Sequence, residues 1–131
     1  MHLINKEKII SVKILEMNND INIINIYLSS KINKNLLIKY LLDYGYKYIN
    51  LRERDKAKLA NEMPVIFCLK YNGALILDNL QYGIYLLPVI KEFILRKDNE
   101  NRIILISDYI LNEKINYFFS DMSNKYKNFN M

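Results

Sequence analysis

At 131 residues and 15.7 kDa the chain fits one domain, residues 1–131, of a size that buries roughly two-thirds of its unfolded surface. Its 51% apolar content supplies a core, and its formal charge of +5 permits an anionic partner, although an abundance of Lys, Asn, Ile and Tyr, all with A+T-rich codons, accounts for much of the basicity. The single Cys68 excludes an internal disulfide or paired-thiol site, the single His2 excludes a Ser-His-Asp triad, and no run reaches the ~20 apolar residues of a membrane span.

The first eight residues, Met1 to Lys8, carry charges where a secretion signal needs apolar residues, so a cytoplasmic protein is expected. Lys6 to Met17 is an amphipathic segment broken by Asn18-Asn19-Asp20. Ile21 to Leu28, rich in β-branched residues, reads as a strand. After a polar turn at Ser29 to Asn33, Lys34 to Tyr44 reads as a helix with Leu37, Ile38, Leu41 and Leu42 inward, and Gly45 stands where a helix-ending glycine belongs. Tyr46 to Leu51 alternates as a second strand. Arg52 to Glu62 is charged and helix-favouring, and Pro64 suits the start of another helical turn over Val65 to Lys70.

Asn72-Gly73 is a turn into a third strand, Ala74 to Asp78. Leu86 to Lys97 reads as a helix with Ile90, Phe93 and Ile94 spaced for burial, and Arg102 to Ser107 as a fourth strand. Tyr109 to Lys125 is a final helix, with a frayed tail over about 124–131. Strands that are nearly continuous in apolar residues and alternate with helices predict an α/β three-layer sandwich around a mainly parallel sheet of four to five strands. Ligands of such sheets gather beyond the carboxyl ends of the strands, so the loops after Leu28, Leu51, Asp78 and Ser107 are the places to search.

Four apolar residues delivering Asp78 to a strand end is the pattern of a carboxylate that faces a magnesium ion in a nucleotide-binding domain. Ile76-Leu77-Asp78-Asn79-Leu80-Gln81, the Tyr46 to Leu51 segment with its following acidic stretch, Pro64 with Phe67 and Leu69, Leu86-Leu87-Pro88 with Lys91, and Ile104 to Asp108 occur in a familiar order. Together, over about Ile21 to Asp108, they resemble the N-terminal domain of a prokaryotic AAA-type P-loop ATPase family whose members carry a C-terminal domain of unknown function.

The resemblance implies a P-loop NTPase-like fold and a phosphate loop over Leu28 to Asn35. Its implied cofactor-binding residues are Ser30, Asn33, Lys34, Asn35 and Asp78, with Asn35 and Asp78 on the metal. The departures are as informative. The loop lacks the glycines that let backbone N–H groups wrap a phosphate, and Asn33 and Asn35 replace a Gly and a magnesium-binding hydroxyl. Asn79 stands where the family has the water-orienting Glu, and an amide accepts no proton. The resemblance therefore implies a degenerate domain that acts as a binding or regulatory module, with ATP and Mg weakly bound or absent, no catalytic residue, and little or no hydrolysis.

Plainer readings stand beside these. Lys34 is also a solvated turn residue, Asp78 the polar end of a buried strand, and Cys68 a small buried side chain. The Arg52 to Lys56 run is a solvated face. Tyr40, Tyr44, Tyr46 and Tyr48 suit base stacking or a covered helix–strand junction. Phe118, Phe119, Tyr126 and Phe129 suggest a surface for a protein partner or a second copy. Two other functions compete with the first: a divergent but active ATP-binding ATPase, and a thioredoxin-like binding module without redox cysteines, which a cis Met63–Pro64 bond would favour.

Overall fold

The computed structural model describes residues 5–18, 20–29, 31–53, 74–96, 102–107, 109–122 and 124–130. The expected turn and helix segments over residues 54–73, with Pro64 and Cys68, lie outside these, as do Ser30 and Asp108.

Five strands, β1 (Ile23–Tyr27), β2 (Lys47–Asn50), β3 (Ala74–Asp78), β4 (Arg102–Ser107) and β5 (Tyr126–Asn130), form one sheet in the order β2-β3-β4-β1-β5, and every described pairing is parallel. A parallel sheet needs cover on both faces because its helical crossovers lie there. The four described α-helices are α1 (Lys6–Glu16), α2 (Lys34–Asp43), α3 (Leu87–Arg96) and α4 (Tyr109–Phe118).

Alternation along the strands sorts the core into two halves. Ile24, Ile26, Ile76, Ile104 and Ile106 pack with Ile10 and Ile14 of α1 and Leu37, Ile38 and Leu41 of α2. Ile23, Leu77, Ile103 and Leu105 pack on the other face with Ile90 and Ile94 of α3 and Leu111 and Ile115 of α4. Each such side chain contributes about 1.5–3 kcal/mol when fully buried, so the sheet is held from both sides. The chain is thus an α/β three-layer sandwich with a parallel five-stranded sheet, as the apolar runs predicted. Among the described residues no helix is long and apolar enough to cross a membrane.

The helix ends follow local chemistry. Asn5 caps α1 by accepting from the Lys8 N–H at 2.8 Å, and Asn33 caps α2 by accepting from the Leu36 N–H at 3.1 Å. Gly45 has φ +89, the left-handed backbone expected of a residue that stops a helix. Leu42, expected inside, is 42% exposed.

The C-terminal end departs most from expectation. α4 stops at Phe118, and residues 126–130 of the expected frayed tail are β5. The Lys125 carbonyl accepts the N–H groups of both Asn22 and Ile23 at 2.9 Å, and β5 then covers the flank of β1 that would otherwise be an unpaired edge. Of Phe118, Phe119, Tyr126 and Phe129, one is fully buried and three are half-buried against the core. Phe119 is fully buried, Tyr126 stacks on it at 5.2 Å, and Phe118 meets it edge-on at 5.0 Å. Phe129 packs against the opposite half of the core.

Candidate functional site

The crevice predicted by the topology lies between β1 and β4. These strands are neighbours, but the helices that follow them cover opposite faces, α2 with the Ile24 half of the core and α4 with the Ile23 half. Where successive connections diverge in this way, the carboxyl ends of the strands leave a cleft. An open cleft of about 290 Å³ is present there, lined by Leu28 and Ser29 after β1, Ile32 and Lys34 at the start of α2, Asp78, Asn79 and Gln81 after β3, and Ile106 and Ser107 at the end of β4.

Two of the expected site residues meet in it. Lys34 Nζ lies 3.2 Å from Asp78 Oδ1, joining segments 44 residues apart in sequence and spanning β4. The partners are unequal. The Asp78 side chain is 3% exposed and that of Lys34 is 38%. A buried carboxylate needs more than one partner, and Asp78 has them: Oδ1 also accepts the Asn79 N–H at 2.8 Å, and Oδ2 accepts the Tyr48 hydroxyl at 2.6 Å. Tyr48 stands on β2 at the sheet edge, in register with Ile76, and its phenol reaches diagonally across to the end of β3. Burial, and then the adjoining Asp78 carboxylate, push the Tyr48 phenol well above the ordinary tyrosine range, so it remains a donor.

Asn79 has left-handed backbone, φ 58 and ψ 50, a conformation Asn tolerates better than most residues. Its side-chain Nδ2 donates to Asn50 Oδ1 at 2.7 Å, which ties the end of β3 to the end of β2. The Asn79 side chain, which the resemblance places where a water-orienting Glu is expected, is thus a donor anchored to a neighbouring strand.

Asn33 and Asn35 are exposed and do not line the cleft. The Asn33 side chain caps α2, and its N–H donates to Glu7 Oε1 of α1 at 2.9 Å. That hydrogen bond holds the Glu7 carboxyl below its ordinary value. A backbone donor of the expected phosphate loop is therefore committed to a carboxylate of the same chain. Among the described residues no three His, Cys, Asp or Glu side chains converge as metal ligands. Asn35 is outside the cleft, and Asp78 is engaged by three donors, so the donor set does not fit a divalent cation.

Tyr40 and Tyr44, two of the four tyrosines read as a stacking surface or a covered junction, fasten α1 to α2. Tyr40 accepts from Asn5 Nδ2 at 2.8 Å, Tyr44 lies 3.4 Å from Ser11 Oγ, and Tyr44 meets the buried Tyr46 edge-on at 6.2 Å.

Residue-by-residue reading missed a polar cluster beneath the cleft. Asn25, fully buried in mid-β1, donates from Nδ2 to Asn112 Oδ1 of α4 at 2.9 Å and to Asn128 Oδ1 of β5 at 3.4 Å, and its own Oδ1 accepts the Ser107 hydroxyl at 3.1 Å. One signal was available: Asn25 stands in the middle of the Ile-rich run, the second of two Asn, with Asn22, that interrupt it. Compared with known proteins, the chain matches no protein-family model and no curated sequence.

Proposed function

We propose that the chain is a degenerate AAA-type P-loop ATPase-like domain that acts as a binding or regulatory module, taking a phosphate-bearing ligand in the β1–β4 cleft with little or no hydrolysis. One observation carries this reading: Lys34 and Asp78, selected from sequence as phosphate lysine and strand-end carboxylate, stand 3.2 Å apart in that cleft. The ammonium, part exposed, offers donors to an anion, and the N-terminal turn of α2 beside it favours negative charge.

The chemistry stops at binding. Phosphoryl transfer needs a water-orienting group and a stabilised magnesium ion. Asn79 is bonded to Asn50 and accepts no proton, and the donors around Asp78 and the position of Asn35 suit no metal. ATP without a firmly held Mg is the expected nucleotide ligand. A cytoplasmic location and a protein partner or second copy accompany this proposal, and nucleic acid is the weaker alternative.

Calorimetric titration of ATP and ADP with magnesium, on the natural chain and Lys34→Ala, tests it. Binding that the substitution abolishes, with no release of phosphate over hours, is the expected result. Absence of heat at millimolar nucleotide would remove the proposal. Phosphate release that Lys34→Ala abolishes would replace it with the divergent, active ATPase.

A further inference from the structure

The contact that marks the cleft also closes it. An anion entering the β1–β4 cleft has one nearby cation described there, Lys34, and that ammonium already faces a carboxylate of the same chain at 3.2 Å. Like charges cannot share one small cation without cost, so anion and Asp78 are alternatives on Lys34 unless a further cation neutralises one of them. The two partners are placed for exchange. Asp78 is almost fully buried at the end of a central strand and cannot leave, whereas Lys34 is a part-exposed side chain on a flexible stem and can swing outward.

When Lys34 moves away, Asp78 is not stranded. The Asn79 N–H at 2.8 Å and the Tyr48 hydroxyl at 2.6 Å still serve its two oxygens. The Tyr48 bond sets how strongly Asp78 needs Lys34, because a carboxylate with a charge-assisted hydrogen bond attracts a second partner less.

We propose that Asp78 is a built-in competitor for the anion at Lys34, and that Tyr48 tunes that competition by sharing the Asp78 charge. The ligand class this selects is a polyphosphate anion that binds without a divalent cation and must displace Asp78 from Lys34. The inference rests on the phosphate-binding reading above. It assigns Asp78 a role opposite to a metal ligand: removing its charge strengthens binding, and removing its hydrogen-bond donor weakens it.

The test is calorimetric titration of ATP in EDTA on the natural chain, Asp78→Asn, Tyr48→Phe, Lys34→Ala and the Lys34→Ala/Asp78→Asn pair, each first shown folded by circular dichroism. Asp78→Asn keeps the shape and an acceptor for Tyr48. It should tighten ATP by about two- to fivefold, the scale of a part-exposed ion pair. Tyr48→Phe should weaken ATP by about two- to threefold. The gain from Asp78→Asn should vanish when Lys34 is absent, which separates competition for that ammonium from a general fall in negative charge.

Should Asp78→Asn fail to fold, the direction of the Tyr48→Phe effect carries the decision: weaker ATP binding supports the proposal, and unchanged or tighter binding overturns it. The proposal is overturned if Asp78→Asn binds no tighter, if both substitutions move affinity in one direction, or if magnesium tightens ATP only while Asp78 is intact. Binding indifferent to Lys34→Ala, or no binding by any variant, removes the phosphate site and this inference together. Binding lost with Lys34→Ala but unmoved by Asp78→Asn removes the competitor alone.

Discussion

Arg102 opens β4 at the amino end of the sheet, and Lys34 stands beyond the carboxyl ends. Each is a cation held between a helix and the sheet, yet their surroundings differ. Arg102 is 7% exposed and donates to four backbone carbonyls: Nη1 to Ile14 at 2.8 Å, Nη2 to Met17 at 3.0 Å and Asn18 at 2.9 Å, and Nε to Ile21 at 3.2 Å. Three of these lie at the C-terminal end of α1, where the helix dipole favours a cation; the Ile14 and Asn18 oxygens also accept the Met17 and Ile21 N–H groups. The planar, forked guanidinium fits several oxygens at once. Lys34 meets one carboxylate and keeps over a third of its surface in water. Positive charge in this fold therefore has two uses: a closed one, in which all three guanidinium nitrogens donate to backbone, and an open one, in which the partner is exchangeable.

Arg102→Ala tests the closed use and carries the largest expected effect. It uncaps the α1 carbonyls and unlinks the helix from β4, which should lower stability by roughly 3 kcal/mol in urea denaturation. Arg102→Lys should recover under half of that, since an ammonium cannot span four carbonyls. A loss below about 0.5 kcal/mol in the alanine variant would make Arg102 ornamental and erase the contrast with Lys34.

Asn25 comes next. Asn25→Ala removes the hub that Ser107, Asn112 and Asn128 share, leaving buried polar groups unpaired at a cost of about 2 kcal/mol. Because Ser107 also lines the cleft, the same substitution should alter the chemical shifts of cleft residues, which Arg102→Ala should leave alone. Cleft resonances that respond equally to both would mean the two ends of the sheet are not separate regions.

These residues mark the limit of what the sequence discloses. β3 and β4 were legible at both ends because strands buried on two faces read as unbroken apolar runs, Leu75-Ile76-Leu77 and Ile103-Ile104-Leu105-Ile106. Asp78 and Lys34 were legible because a polar residue at a strand end and a cation at a helix start stand out against those runs. β5 was hidden: Tyr126-Lys127-Asn128-Phe129-Asn130 holds two apolar residues, and only pairing with β1 makes it a strand. Asn25 and Tyr48 were visible as residues but not as partners. Their contacts depend on strand order, which brings Asn128 beside Asn25 across 103 positions and Tyr48 within reach of Asp78 across 30.

Lys34→Ala sharpens the open use. Asp78 retains its Tyr48 and Asn79 donors, so the substitution should change stability by under about 1 kcal/mol while abolishing anion uptake. Set against Arg102→Ala, it predicts a dissociation of the two properties: one cation costs stability and not binding, the other binding and not stability. Denaturation midpoints and ATP titrations on both variants decide this, and a Lys34→Ala chain that is as destabilised as Arg102→Ala would place Lys34 in the closed class.

The smallest effect concerns Glu7, the anion that already occupies a loop donor beside the open site. Its folded pKa is lowered, chiefly by the Asn33 N–H, from an ordinary value of 4.5. A group lowered on folding contributes stability that is present above its unfolded pKa and is lost as pH falls through the folded one. The clasp between α1 and the start of α2 should therefore be intact at neutral pH and weaken progressively below about 4.5. Comparing thermal midpoints at pH 7 and pH 3.5 for the natural chain and Glu7→Gln isolates it: the natural chain should lose its advantage over the variant in acid. An advantage that persists unchanged would mean that Glu7 stays ionised at pH 3.5, and the Asn33 N–H would then be committed to the chain's own carboxylate throughout the acid range. The open end of the sheet would in that case offer an incoming phosphate the Lys34 ammonium but not this loop donor.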